Sequence, residues 1–273
     1  MWATYYRAVT SFADAVGTRI AFDIFGEGPD LVLLHAGIAD RTMWQPQIEH
    51  LSGSYRVVTP DARGFGDTPI GAEPFSRRDD LEAVLDAADA ARPSIVGCSI
   101  GAGFALDFAI EHPDRVNKLV LVGVTPSGFD KEPDAMLVEL WPRVDEAIEA
   151  GDLRRAGEIE ARIWVDGPRR PEGAAPSWLR ERVIEWSLPI NGVADWGVSR
   201  QIDPLAMERL GDVTAPTLVI VGAEDAELIR QGCLAAAAGI PGAELFEIPG
   251  TAHLPNLETP DAFNAALGGF LEL

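Results

Sequence analysis

A chain of 273 residues with 47% hydrophobic side chains is long enough for one α/β core carrying an insertion. Forty-three acidic against 22 basic side chains leave a net charge of −21, which repels nucleic-acid phosphates and anionic membrane surfaces and argues against both as partners. Cys98 and Cys233 form no C-x-x-C pair, so neither a disulfide nor a metal framework is expected and both thiols are read as reduced.

No stretch approaches a transmembrane span, and residues 1–17 lack the basic start and continuous apolar run of a signal peptide, so a cytoplasmic location is expected. Short apolar runs then alternate with helix-period segments, the order of a mostly parallel sheet covered by helices on both faces. Strands are predicted at 19–25, 31–34, 56–59, 94–96 and 118–122, with helices near 43–51, 77–90 and 102–111. The alternation breaks over 125–212, far more chain than a crossover needs, and the pattern there is helical. Leu137, Leu140, Trp141, Val144 and Ile148 share one face, in a helix that Pro142 should interrupt. Asp152 can cap a second helix bearing Ala156, Ile159 and Ile163, and a third begins at Pro176 or Ser177 with Leu179, Val183 and Trp186 on one side. Strands at 217–221 and 245–248 and helices at 227–238 and 260–271 resume the alternation. The expected organisation is a core of 1–124 and 213–273 with a helical cap inserted at 125–212.

The chemistry is concentrated in Gly97-Cys98-Ser99-Ile100-Gly101, which lies between the fourth predicted strand and the helix after it. A serine at such an elbow must take a sharp, strained conformation so that its hydroxyl clears the sheet, and the flanking glycines leave room for the neighbouring strand and helix. An ordinary helix N-cap is the alternative use of Ser99. Two further residues favour catalysis: Asp225 follows three residues after Gly222 at the end of a strand, and His253 follows the last strand in Pro249-Gly250-Thr251-Ala252-His253. Serine, then acid, then histidine is the chain order of an α/β-hydrolase triad and differs from the orders in the chymotrypsin and subtilisin groups.

Nearly the whole chain resembles the α/β-hydrolase superfamily. His35-Ala36-Gly37 is similar to its oxyanion-loop entry, residues 61–68 (Asp-Ala-Arg-Gly-Phe-Gly-Asp-Thr) to its D-x-R-G-x-G-x-S/T segment, and 111–116 to its exit from the nucleophile helix. Within the superfamily the likeness is nearest to the 3-oxoadipate enol-lactonase, esterase and non-haem haloperoxidase-like groups. The resemblance implies an α/β-hydrolase fold, a mostly parallel sheet flanked by helices with an inserted helical cap, and a hydrolase of small carboxylic esters or lactones. Ser99 would be the nucleophile, His253 the base and Asp225 the residue that orients it, with the Gly37 and Ile100 N–H groups as the oxyanion hole. No cofactor or metal is required. The same triad also suits C–C bond hydrolysis of a diketone-like acid, acyl transfer to peroxide, or a slow-turnover ligand-binding module.

Five of the seven tryptophans, Trp141, Trp164, Trp178, Trp186 and Trp196, fall in the insertion. Cap-to-core packing accounts for any one of them; lining an apolar substrate site is the alternative, assigned here to Trp141 and Trp164. Glu224 adjoins Asp225, but the spacing from Gly222 favours Asp225 as the acid. His35 is expected to hold its loop, Asp61 and Arg63 to brace theirs, and Glu258 to support the histidine loop.

Overall fold

The computed structural model describes residues 10–272; the expectation of no leader in 1–17 therefore falls largely outside the described residues, as do positions 1–9 of the core. Strands β1 (Ser11–Ala15), β2 (Thr18–Phe25), β3 (Asp30–Leu34), β4 (Arg56–Pro60), β5 (Ser94–Cys98), β6 (Leu119–Val122), β7 (Thr217–Gly222) and β8 (Glu244–Ile248) form one sheet in the order β1-β2-β4-β3-β5-β6-β7-β8. The β1–β2 and β2–β4 pairs are antiparallel, and every pair from β4 to β8 is parallel. This is the α/β-hydrolase architecture expected from the sequence.

Helices α1 (Gln45–Leu51), α2 (Arg77–Ala87), α3 (Ile100–Glu111), α4 (Ala135–Glu149), α5 (Leu153–Glu160), α6 (Ser177–Asn191), α7 (Ala206–Arg209), α8 (Glu227–Gly239), α9 (Pro255–Glu258) and α10 (Pro260–Leu271) surround it. Successive strand side chains point to opposite faces. Val32 and Leu34 accordingly pack with α2, α3 and α8, while Leu31 and Leu33 pack with α1 and α10. Because both faces are covered, the inner strands are continuous apolar runs, which made them legible. Strand β1 was not expected. Its pairing to β2 turns on Gly17 at φ 70°, and only Ala13 of its five residues is fully buried, so its apolar signal is weak.

Between β6 and β7 the chain leaves the sheet for α4, α5, a π-helical turn at Ala161–Asp166, α6 and α7. The expected break at Pro142 is absent: α4 runs unbroken from Ala135 to Glu149. Proline removes the bond to the Val138 carbonyl, but Val138, Trp141 and Pro142 lie on the exposed face, where water takes that acceptor. Leu137, Leu140 and Val144 are buried as expected, whereas Trp141 sits at the exposed edge of their stripe. Asp152 caps α5, accepting from the Arg155 N–H at 3.1 Å. Among the described residues no helix is long and apolar enough to cross a membrane.

Candidate active site

Ser99 occupies the one-residue elbow between β5 and α3 with φ 55° and ψ −116°, a conformation that costs a non-glycine residue about 1–3 kcal/mol. Its N–H is pinned to the Val122 carbonyl at 2.8 Å. The flanking glycines are steric necessities: a Cβ on Gly97 would collide with the Gly101 carbonyl, and one on Gly101 would lie 2.5 Å from the Leu34 oxygen. The serine hydroxyl thereby stands at the carboxyl ends of the parallel strands, where crevices in such sheets form.

The ends of β7 and β8 bring the other two residues to it. Asp225 Oδ2 lies 2.7 Å from His253 Nδ1, and His253 Nε2 lies 2.8 Å from Ser99 Oγ. A carboxylate accepts only, so Nδ1–H donates to Asp225 and the bare Nε2 faces the serine O–H. The second carboxylate oxygen of Asp225 accepts from the Ala226 N–H at 2.7 Å, fixing the acid at the entry to α8. Asp225 and His253 are both buried.

Three groups hold the histidine loop. Glu258 Oε1 accepts from the Ala252 N–H at 2.7 Å, and its other oxygen accepts from Arg170 Nη2 at 2.7 Å. The His253 N–H donates to the Trp164 carbonyl at 3.1 Å, and the Trp164 ring lies against the imidazole with centroids 4.8 Å apart. Trp141 follows at 6.2 Å from Trp164. Arg170 and Trp164 come from the inserted segment, so that segment buttresses the imidazole directly. On the far side Gly123, at φ 59°, passes so close that an added Cβ would sit 3.0 Å from His253 Cε1.

After β3, His35 donates from Nδ1 to the Ala36 carbonyl at 2.8 Å and accepts at Nε2 from the Ala62 N–H at 2.9 Å. Burial lowers its basicity, which suits a neutral ring with both nitrogens engaged. Among the described residues the hydrogen bonds of this loop run through Ala36 and Ala39, and the Gly37 N–H takes part in none of them. Ile100 opens α3, where N–H groups lack helical acceptors. The two residues are neighbours, since a Cβ on Gly37 would lie 3.3 Å from the Ile100 side chain. Asp61 accepts from the backbone N–H groups of Arg41 and Asp67 at 2.9 and 2.8 Å, and Arg63 grips Asp80 through two bonds of 2.7 Å. Both brace their loop.

A cavity of about 290 Å³ opens beside Ser99, lined among others by Ile100, Phe104, Asp107, Thr125 and Ile229. Trp141 and Trp164 are not part of its lining. Cys98, next to Ser99, is fully buried, and burial pushes its thiol well above the usual range, which makes it a poor nucleophile. Asp107 and three arginines of this lining carried no signal as site residues in the sequence.

Burial pushes the Asp107 carboxyl up to about 6, Arg78 opposing the rise and Glu111 adding to it. With a folded value above the unfolded one of about 3.9, the folded state holds the proton more tightly, so stability falls as pH rises between about 4 and 6 and is level above that. Asp107→Asn removes the penalty. In thermal denaturation it is expected to melt above the unsubstituted protein at pH 8, by on the order of 1 kcal/mol or roughly 2–4 °C, with the two converging near pH 4. A gap of constant size across the series would assign the gain to packing instead.

Residues 29–260 match the family model described as alpha/beta hydrolase fold. A chain from Azorhizobium caulinodans, whose name provisionally assigns it carbamate hydrolysis, is 29% identical over 95% of this chain and 97% of its own length. The 2-hydroxy-6-oxononadienedioate/2-hydroxy-6-oxononatrienedioate hydrolase of Comamonas testosteroni is 27% identical over 93% of this chain and 91% of its own. A thermophilic esterase from Thermogutta terrifontis superposes with a TM-score of 0.78 at 26% identity, covering 98% of each chain.

Proposed function

Because the chain belongs to the α/β-hydrolase family, we propose that it is a serine hydrolase of small carboxylic esters or lactones, working through an acyl-enzyme. The observation that carries this reading is the unbroken relay from Asp225 through His253 to Ser99, with contacts of 2.7 and 2.8 Å, ending on a serine in a strained elbow. His253 Nε2 takes the Ser99 proton as Oγ attacks the acyl carbon, and Asp225 stabilises the imidazolium that forms. Charge on the carbonyl oxygen is met by the Gly37 and Ile100 N–H groups, each contributing about 3 kcal/mol to lowering the barrier. His253 then protonates the leaving alcohol and activates the water that releases the acid. No metal or organic cofactor enters these steps. A cytoplasmic setting fits the two buried, unpaired cysteines.

In this reading segment 125–212 is the cap. What supports it is the departure from the end of β6, the return at β7, and the contacts of Trp164 and Arg170 with the histidine loop. The tryptophan pair Trp141 and Trp164 then selects among acyl groups from the histidine side. C–C bond hydrolysis of a dienone acid is a second reading, favoured by the name of the Comamonas testosteroni relative.

The deciding experiment compares nitrophenyl esters, simple lactones and dienone acids as substrates. Esters or lactones are expected to turn over fastest; exclusive turnover of the dienone acids would replace the first reading by the second. In the same panel Trp164→Ala should shift the ester-to-lactone ratio of kcat/KM by about 10-fold, the scale set by losing apolar contacts in a pocket. A uniform fall across the panel would leave Trp164 only the task of seating the imidazole.

A further inference from the structure

Arg170 joins two segments through one guanidinium. Nε and Nη2 donate to the Asp166 and Val165 carbonyls, both at 2.6 Å, and so close the end of the π-helical turn, whose last carbonyls have no helical donor. The remaining bonds cross to the histidine loop: Nη1 reaches the Gly250 carbonyl and Nη2 the Glu258 carboxylate, each at 2.7 Å. The stretch that carries Arg170 is itself braced. Buried Asp166 accepts from the Gly173 and Ala175 N–H groups at 3.0 and 3.1 Å and is paired with Arg180 of α6. Arg162 holds the Gly167 and Arg170 carbonyls at 2.7 and 3.2 Å. Gly167, at φ 78°, lets the stretch press on the loops of both acid and base: a Cβ there would lie 2.5 Å from the Glu224 carbonyl oxygen and 2.9 Å from Ala252 Cβ.

Glu258 carries that hold toward the imidazole. Its side chain is only 4% exposed, and among the described residues Arg170 is its one ion-pair partner. Burial pushes its carboxyl above the usual range, a rise that Arg170 opposes and neighbouring Asp225 reinforces. Arg170 thus supplies the counter-charge that lets two carboxylates lie near one another. One Glu258 oxygen faces Arg170, and the other accepts from the N–H of Ala252, the residue before His253. Without the guanidinium a buried carboxylate must take up a proton or turn toward water, and either change weakens its hold on the Ala252 N–H.

We propose that Arg170 is a positioning residue for His253, acting through Glu258 and the Ala252 N–H, so that seating of the inserted segment and alignment of the imidazole are a single event. The proposal rests on the hydrolase reading above. Closure of the π-helical turn alone is the lesser role of the same guanidinium. Convergence favours the larger one: Gly250 is held by Arg170, Ala252 through Glu258, and His253 by the Trp164 carbonyl. A planar fork serves four acceptors on two segments, which the point charge of an ammonium does not. Neither Arg170 nor Glu258 lines the cavity beside Ser99, so their effect falls on the reacting groups and not on substrate binding.

The test follows nitrophenyl butyrate turnover in Arg170→Met, Glu258→Gln and the double variant, with melting curves to show that each is folded. Each single variant should lower kcat by about 100-fold, the scale of a displacement of about 1 Å at a reacting group, and leave KM within about 2-fold. Glutamine keeps the shape but has one acceptor oxygen for two donors, so it serves Arg170 or Ala252 and not both. Because the two residues act in series, the double variant should fall no further than the singles. Losses that multiply to about 10⁴ would leave Arg170 a brace of its own turn and overturn the proposal, as would an unmoved kcat. If Arg170→Met does not fold, Arg170→Lys, which keeps the charge and loses the fork, takes its place with an expected fall of about 10-fold. A readout free of turnover is the far-downfield proton resonance of the His253 Nδ1–H on Asp225, which should broaden or vanish in Arg170→Met and Glu258→Gln. A resonance retained in both also overturns the proposal. Should the unsubstituted protein hydrolyse no ester while this resonance is present and is lost in the variants, the hydrolase reading fails and the positioning role stands.

Discussion

Ser99→Ala is expected to lower ester turnover by about 10⁵–10⁶, to the level left by binding and the oxyanion donors alone, and to abolish labelling by a serine-directed phosphonate. The size follows from the roles: with the hydroxyl gone, His253 has no nucleophile to deprotonate, so the relay that ends at 2.8 Å from Oγ has no chemistry to perform. The fold should survive, because alanine and serine meet the same strain at φ 55° and Ser99 is held by a backbone bond to Val122 that alanine keeps. Unaltered melting with lost turnover is therefore the expected pair of results. The rival nucleophile is Cys98. Its side chain, at the end of β5, is sealed in the core, its thiol is driven toward the neutral form, and its sulfur lies 3.9 Å from the His253 carbonyl oxygen, a backbone atom that takes no proton. Peptide mapping that finds the phosphonate on Cys98, or turnover retained in Ser99→Ala, would remove the serine mechanism altogether.

The elements that carry chemistry were legible because the fold writes them in local patterns. Each parallel strand is a short apolar run, and each proposed triad residue follows the carboxyl end of one, so strand, punctuation and chemistry occur together in the sequence. Strand β1 escaped because an edge strand with one fully buried residue has little apolar alternation to show. Pro142 misled because the rule that proline ends a helix assumes a bond worth keeping, and on the exposed face of α4 water replaces it. What no local pattern could reveal is partnership over distance. Arg170 meets Glu258 across 88 positions, and Trp164 meets His253 across 89.

The assignment of Asp225 over its neighbour Glu224 has the second largest expected effect. Asp225→Asn should lower kcat/KM by about 10⁴, as misorienting the histidine does in serine proteases. The hydrogen bonds dictate the direction. Asp225 Oδ1 accepts from the Ala226 N–H at 2.7 Å, and an asparagine that keeps this bond must place its carbonyl oxygen there. Its amide NH₂ then faces His253 Nδ1, a donor where the acceptor stood. The ring responds by moving its proton to Nε2, and a protonated Nε2 cannot take the proton from Ser99. Glu224 has no such position. Its side chain is partly exposed and lies 3.9 Å from Arg169, while its backbone N–H bonds the Thr251 carbonyl, a bond that glutamine retains. Glu224→Gln is thus expected to stay within about 2-fold in kcat/KM and to lose well under 1 kcal/mol of stability, the ordinary worth of a surface pair. Steady-state kinetics of both variants on one ester, with melting curves to show that each is folded, decide between the two acids. A large loss in Glu224→Gln beside a small one in Asp225→Asn would transfer the role to Glu224 and require the loop after β7 to rearrange before catalysis.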